Sequence, residues 1–338
     1  MERAAPVGVP EGGLMVLETV IERETMRKRD LRNIIRAVFF LTLFAAAGIH
    51  PAGAGEGGIE VKHDMGTARL PGRPTRVVLF DFGVLDTLDR LAPQGVSYAI
   101  PKQVVPGYLS RFKAADVMDA GGMKEPNLEK IYEFGPDVIF ISARQTDYYQ
   151  KFSAIAPTIN STVDYSRFLE SFAETTRMVG RVFGVEEKAE AEVAKVAERA
   201  SAVAKKAAAS GKRGLVVMVN DGNISAYGPG SRFGTIHDVM KVAPADPGIK
   251  VSNHGQSVDY EYIARINPDI LFVINRNAAI GTNGNKSGSN VLDNELVAGT
   301  NAGRNGKIVQ LDSEVWYLVG TGLQALEKMM NEVETAIQ

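Results

Sequence analysis

Between Glu186 and Ser210 the chain reads EEKAEAEVAKVAERASAVAKKAAAS, with no Gly or Pro until Gly211. Ala189, Val193, Val196, Ala200, Val203 and Ala207 recur there at spacings of four and three in alternation. That period is one narrow apolar stripe on a helix, with Lys and Glu on the other faces. Acidic residues crowd the first turn and lysines are expected in the last, as the helix dipole favours. At about 1.5 Å per residue such a helix reaches on the order of 35 Å. A rigid strut in mid-chain predicts two lobes with limited hinge motion, where a Gly/Ser linker would let them wander.

On both sides of the strut, strand-like and helix-like segments alternate. RVVLF (76–80) precedes the helical spacing of VLDTLDRLA, and NLEKIYEFGPDVIFIS (127–142) is a helix, a Gly-Pro break and a buried strand. GLVVMVN (214–220), DYEYIARINPDILFVIN (259–275) and KIVQLD (307–312) continue the pattern, before a closing helix from about Gly322. Compact apolar runs of this kind suit parallel strands buried on both faces. The fold class is therefore α/β, two lobes with largely parallel sheets joined by one long rigid helix. The expected divisions are residues 1–54 as an N-terminal extension and export signal, 55–185 and 211–338 as lobes, and 186–210 as the bridge. Glu129 and Glu261 hold equivalent places in two of these segments, each seven residues before a Pro-Asp pair, Pro136-Asp137 and Pro268-Asp269. Such a pseudo-repeat suggests lobes of similar build.

The export signal is read from MRKRDLRNIIRAVFFLTLFAAAGIHPAGA (26–54). A basic cluster from Arg27 to Arg36, an apolar run from Ala37 to Ile49 and Ala52-Gly53-Ala54 follow the order of a cleavable secretory signal. The run is short for a membrane span. Met26 is a plausible start. The chain contains no cysteine, which excludes disulfides, thiolate metal sites, cysteine nucleophiles and a lipid-anchored cysteine. The expected product is a free periplasmic protein, monomeric. A formal net charge of −2, with 23% charged residues, gives no basic field for nucleic acid.

Familiar catalytic motifs are missing. GTNGNKSG (281–288) has Asn285 where a phosphate loop needs Gly, and GPGSRFG (228–234) does not match the dinucleotide spacing. There is no G-x-S-x-G elbow and no H-E-x-x-H helix. What remains is a set of cations and polar rings in loops. Arg144 and Arg276 follow the strands DVIFIS and DILFVIN, and Arg232 lies in a glycine-rich turn after GLVVMVN. Ligands of α/β sheets bind beyond the carboxyl ends of the strands, so three guanidinium forks there could meet one anion. His254, one of four histidines, stands in the polar loop KVSNHGQS, and Tyr317 follows Trp316, the only tryptophan. His63 and His237 read as structural.

The chain resembles the periplasmic binding proteins of ABC transporters that import iron–siderophore complexes. It is most similar to binders of catecholates such as enterobactin fragments and petrobactin. The segments that carry the likeness are RVVLFDFGVLDTLDRL, NLEKIYEFGPDVIFISARQ, SRFGTIHDVM, IKVSNHGQSVDYEYIARINPDILFVINRN and LDSEVWYL. The resemblance implies two α/β lobes on one long helix, with the ligand in the cleft, no intrinsic cofactor and no enzymatic activity. It implies that Arg144, Arg232 and Arg276 cradle catecholate oxygens, that His254 and Tyr317 complete the coordination of siderophore-bound iron, and that Glu129 and Glu261 dock onto an inner-membrane ABC permease. Ala143, where relatives are expected to have Gly, and the Gly/Asn-rich loop 281–290 depart from the pattern. A haem or corrinoid binder on the same fold, and a periplasmic α/β enzyme using His254 as a base, are the alternatives.

Overall fold

The computed structural model describes residues 58–252, 254–281 and 292–338. The export signal and nearly all of the loop 281–290 lie outside the described residues. The chain begins with β1 (Ile59–His63) and β2 (Gly66–Leu70), an antiparallel hairpin. The first half then follows as β3 (Arg76–Leu79), α1 (Phe82–Leu91), β4 (Ser97–Ile100), β5 (Met118–Asp119), α2 (Leu128–Phe134), β6 (Val138–Ile141) and β7 (Thr158–Asn160). Its five strands pair in the order β5-β4-β3-β6-β7, all parallel. Val77, Val78 and Leu79 of β3 and all four residues of β6 are fully buried, as a parallel sheet covered on both faces requires.

Two helices lead out of this half, α3 (Phe168–Phe183) and the strut α4 (Glu186–Ser210). All six stripe residues of α4 are buried. Glu186 and Glu187 occupy its first turn, but the last turn carries no basic residue. Lys205 and Lys206 fall one turn earlier than expected, and Lys206 pairs instead with Glu334.

The second half holds β8 (Arg213–Asn220), β9 (Asn223–Tyr227), β10 (Ala243–Pro244), β11 (Gln256–Val258), α5 (Tyr260–Ile266), β12 (Ile270–Asn275), β13 (Ile308–Gln310) and α6 (Leu323–Ile337). Its sheet order is β11-β9-β8-β12-β13, with β10 beside β8. β8, β12 and β13 are parallel; β9 runs antiparallel to β8, and β11 pairs antiparallel with β9. The reversal occurs at Asp221 (φ 49°) and Gly222 (φ 84°), the two left-handed positions that a tight hairpin needs. Arg232 therefore follows a returning strand, β9, and not the end of β8 as the sequence suggested. α6 crosses back onto the first half. It packs on α4 and α1, and Glu334 bonds Arg199 and Lys206 of α4. One apolar core runs from β3 and α1 through α3, α4 and α6 to β8 and β12.

The pseudo-repeat is structural. α2 and α5 are both seven-residue helices, capped by the side chains of Asn127 and Asp259 and ended by left-handed Gly135 and Asn267. The Pro-Asp pairs do more than break the chain. Asp137 Oδ2 accepts from Arg76 N at 2.9 Å, and Asp269 Oδ2 from Arg213 N at 2.9 Å. Each carboxylate thus secures the first residue of the neighbouring parallel strand. Burial pushes both carboxyls up, but these hydrogen bonds outweigh it and hold them below the usual range. Glu129 and Glu261 stand exposed on the first turns of the two matched helices.

Candidate functional site

A cavity of about 840 Å³ opens between the two sheets. Arg144, Arg232, His254, Arg276 and Tyr317 all line it. Glu129 and Glu261 do not; they belong to the outer surface.

Tyr317 lies in a single π-helical turn, Val315–Val319, closed by left-handed Gly320. Such turns are rare and concentrate at functional sites. Three guanidinium groups surround its ring, with Cζ to centroid distances of 5.6 Å for Arg144, 4.4 Å for Arg232 and 5.7 Å for Arg276. Arg276 Nε donates to the phenol oxygen at 2.9 Å. Arg144 Nη2 donates to the Tyr317 carbonyl at 2.8 Å, and Arg232 Nη2 donates to the same oxygen. Burial acts to raise the phenol's pKa, but the bond from Arg276 and the charges of Arg232, Arg276 and Arg144 outweigh it and leave it below the usual 10.

Each arginine is aimed by its own local structure. Arg144 sits in a tight turn after β6, held by fully buried Gln145, whose Nε2 donates to Met123 O at 2.8 Å. It is wetted by the cleft yet enclosed by its walls, and desolvation together with the like charge of Arg232 lowers its pKa. Arg276 opens a short helical turn capped by Asn275, and Arg276 Nη1 donates to Asn220 Oδ1 at 2.8 Å. Arg232 rides on a glycine turn fastened by Gly230 N donating to Asp238 Oδ2 and Ser231 Oγ donating to Gly228 O, both at 2.6 Å.

His254 is exposed on the loop that enters β11. The loop lies flat on β9 because Gly255 takes φ +72° and a Cβ there would meet Tyr227 Cζ at 2.7 Å. That close approach holds the imidazole at the cavity wall. His237 is buried and shares a 2.8 Å hydrogen bond between Nδ1 and Val242 O, a structural role as expected.

Three lining residues that the sequence reading missed bear on the chemistry of the cavity. Lys124 adds a fourth cation. Asn220 ends β8 and orients Arg276. Asp81 is the one carboxylate among the lining residues; it is buried, caps α1 through Gly83 N at 2.8 Å and accepts from Ser161 Oγ at 2.7 Å. Burial pushes its carboxyl up. The cavity is thus strongly cationic, with its single acid engaged. Among the described residues no group of three or more His, Cys, Asp or Glu could hold a metal. An ion bound here needs donors that arrive with it.

A sequence profile described as periplasmic binding protein matches residues 84–315. The chain belongs to the periplasmic binding protein family. The petrobactin-binding protein YclQ of Bacillus subtilis is 48% identical to this binding protein over 282 residues, 83% of this chain and 88% of YclQ. The crystal structure of YclQ superposes with a TM-score of 0.81 at 47% identity, covering 84% of this chain and 99% of that one. The catecholate-siderophore binding protein VctP of Vibrio cholerae gives a TM-score of 0.76 at 30% identity, covering 82% and 100%. BauB, solved with ferric iron and two acinetobactin molecules, gives 0.75 at 31% identity, covering 83% and 99%. These neighbours share the mixed α/β architecture on a long helix. YclQ binds petrobactin, VctP a catecholate siderophore and BauB a complex of acinetobactin with ferric iron.

Proposed function

We propose that this binding protein captures a ferric catecholate siderophore in its cavity and hands it to an ABC permease for iron uptake. The observation that carries the reading is the convergence of Arg144, Arg232 and Arg276 on Tyr317 in one cationic cavity. Catechols bind iron(III) as dianions, so the complex is anionic, and guanidinium groups remain charged at any accessible pH. Their bonds to catecholate oxygen are charge-assisted. A siderophore with two catechols supplies four of the six donor atoms that iron(III) takes. The phenol of Tyr317 and the imidazole of His254 are the protein donors for the other two places. The depressed pKa of Tyr317 favours the phenolate that such a bond uses.

No step of chemistry is required of the protein, and the enzyme alternative draws no support from a cavity whose lone carboxylate is already capped. Export by a cleavable signal, a monomeric state without lipid anchor, and lobes 55–185 and 211–338 about the bridge 186–210 complete the proposal.

Titration with a ferric bis-catecholate, followed at its visible charge-transfer band, tests the ligands. Tyr317→Phe and His254→Ala should each shift the band and weaken binding by about tenfold or more, the loss of one donor to the metal. An unchanged band and affinity in both variants would refute direct ligation.

Glu129 and Glu261 are the proposed docking points, one on each matched helix. Their joint replacement by Ala should abolish uptake while leaving siderophore binding untouched. Normal uptake by the double variant would rule the docking role out.

A further inference from the structure

The turn that carries Tyr317 comes late in the sequence and hangs from the second sheet, yet the first half clasps it at both ends. On the second-sheet side, Leu311 N donates to Val273 O and Asn275 N to Ser313 Oγ, both at 2.9 Å. Just before the turn, Glu314 Oε2 accepts from Gly107 N at 2.7 Å. Just after it α6 begins, and the carboxylate of Asp86 on α1 accepts from Gln324 N at 2.7 Å and Ala325 N at 3.0 Å. Tyr108 Oη donates to the same carboxylate at 2.5 Å. The neighbours Gly107 and Tyr108 therefore reach one end of the turn directly and the other through Asp86.

Asp86 is fully buried. A carboxylate is a costly group to bury, and apolar packing docks a helix equally well. What the carboxylate adds is direction: each bond fixes where the first turn of α6 stands, and Gly320–Gly322 joins that turn to Tyr317. The negative group also sits where the helix dipole welcomes it. We infer that Asp86 and Tyr108 are positioning residues for Tyr317, setting its phenol and carbonyl against the three arginines. The consequence for iron rests on the function proposed above; the positioning itself can be read in the empty protein.

Trp316, the only tryptophan, reports the turn from inside, its indole N–H donating to Glu332 at 2.7 Å. The experiment compares Asp86→Asn and Tyr108→Phe with Glu334→Gln, which loosens α6 from α4 at its far end. Readouts are Trp316 emission and hydrogen exchange of residues 315–325 without ligand, then the charge-transfer band of iron(III) with two equivalents of a simple catechol. Both clasp variants should red-shift the emission, speed exchange of the segment by about tenfold and move the band. Glu334→Gln should lower the melting temperature and change none of these. The inference is overturned if the clasp variants lose only melting temperature. Should Asp86→Asn fail to fold, Tyr108→Phe and Glu314→Gln carry the same reading. If the empty protein responds as expected but the wild type never binds the complex, the positioning stands and the proposed function falls.

Discussion

Arg232→Gln is expected to weaken binding of a ferric bis-catecholate by about a hundredfold. Arg232 has the shortest guanidinium-to-ring distance to Tyr317, 4.4 Å, and bonds its carbonyl. Removing one member of a partly buried, hydrogen-bonded charge constellation costs about 2–3 kcal/mol, the low end of the range for buried pairs, and each 1.4 kcal/mol is about tenfold in affinity. Glutamine retains a donor but neither the charge nor the fork. A second effect has a defined sign. Arg232 is one of the charges that hold the Tyr317 phenol below its usual range, so its loss moves the phenol's ionisation to higher pH. Proton release on iron ligation then becomes harder, and the variant's deficit should shrink as pH rises. Calorimetric titration at several pH values measures both. Affinity within about threefold of wild type would show that the anion does not approach this arginine.

Gly322→Ala should be strongly destabilising for a change of one methyl. The residue is extended, φ −90° and ψ 161°, so any side chain suits its backbone. The obstacle is space: a Cβ would stand 2.3 Å from Asp86 Cγ and 2.4 Å from its Cβ. Neither atom is the free end of a flexible chain, because Asp86 is pinned by Tyr108 and by α6 itself. Overpacking of this kind costs about 3 kcal/mol, which lowers the melting temperature by roughly 4–5 °C for a chain of this size. Gly72→Ala is the control, since a Cβ there meets nothing within 4 Å. Equal melting temperatures for the two variants would mean that α1 and α6 separate easily.

Much of this architecture is written in local patterns. The stripe Ala189–Ala207 is buried residue for residue, because a surface helix between lobes has only one face to hide. The paired Glu and Pro-Asp positions mark matched helices because the same cap, turn and strand tie recur in both halves. The three arginines were placed at loop ends by strand pattern, and they do share a cavity with His254 and Tyr317. Their contacts with Tyr317 were not legible, since these depend on loops from both halves arriving together. β9 was overlooked because NISAY is short and half polar, although Asp221-Gly222 was a hairpin signal in plain view. The π turn has no sequence signature at all. Its two ends are gripped by distant parts of the chain, Glu314 by Gly107 and α6 by Asp86, residues more than two hundred positions apart.

The return of the chain through residues 311–322 also changes the mechanics of the molecule. A single strut leaves its two halves free to twist about the strut's axis as well as to bend. A second tether, set apart from the first, blocks the twist and leaves bending about the line through both. Two such crossings would let the halves move as a door on two hinges, not a swivel, with Tyr317 on the second. A side chain on a hinge pin keeps its place while the leaves swing, so the phenol would hold its position whatever the opening between the halves.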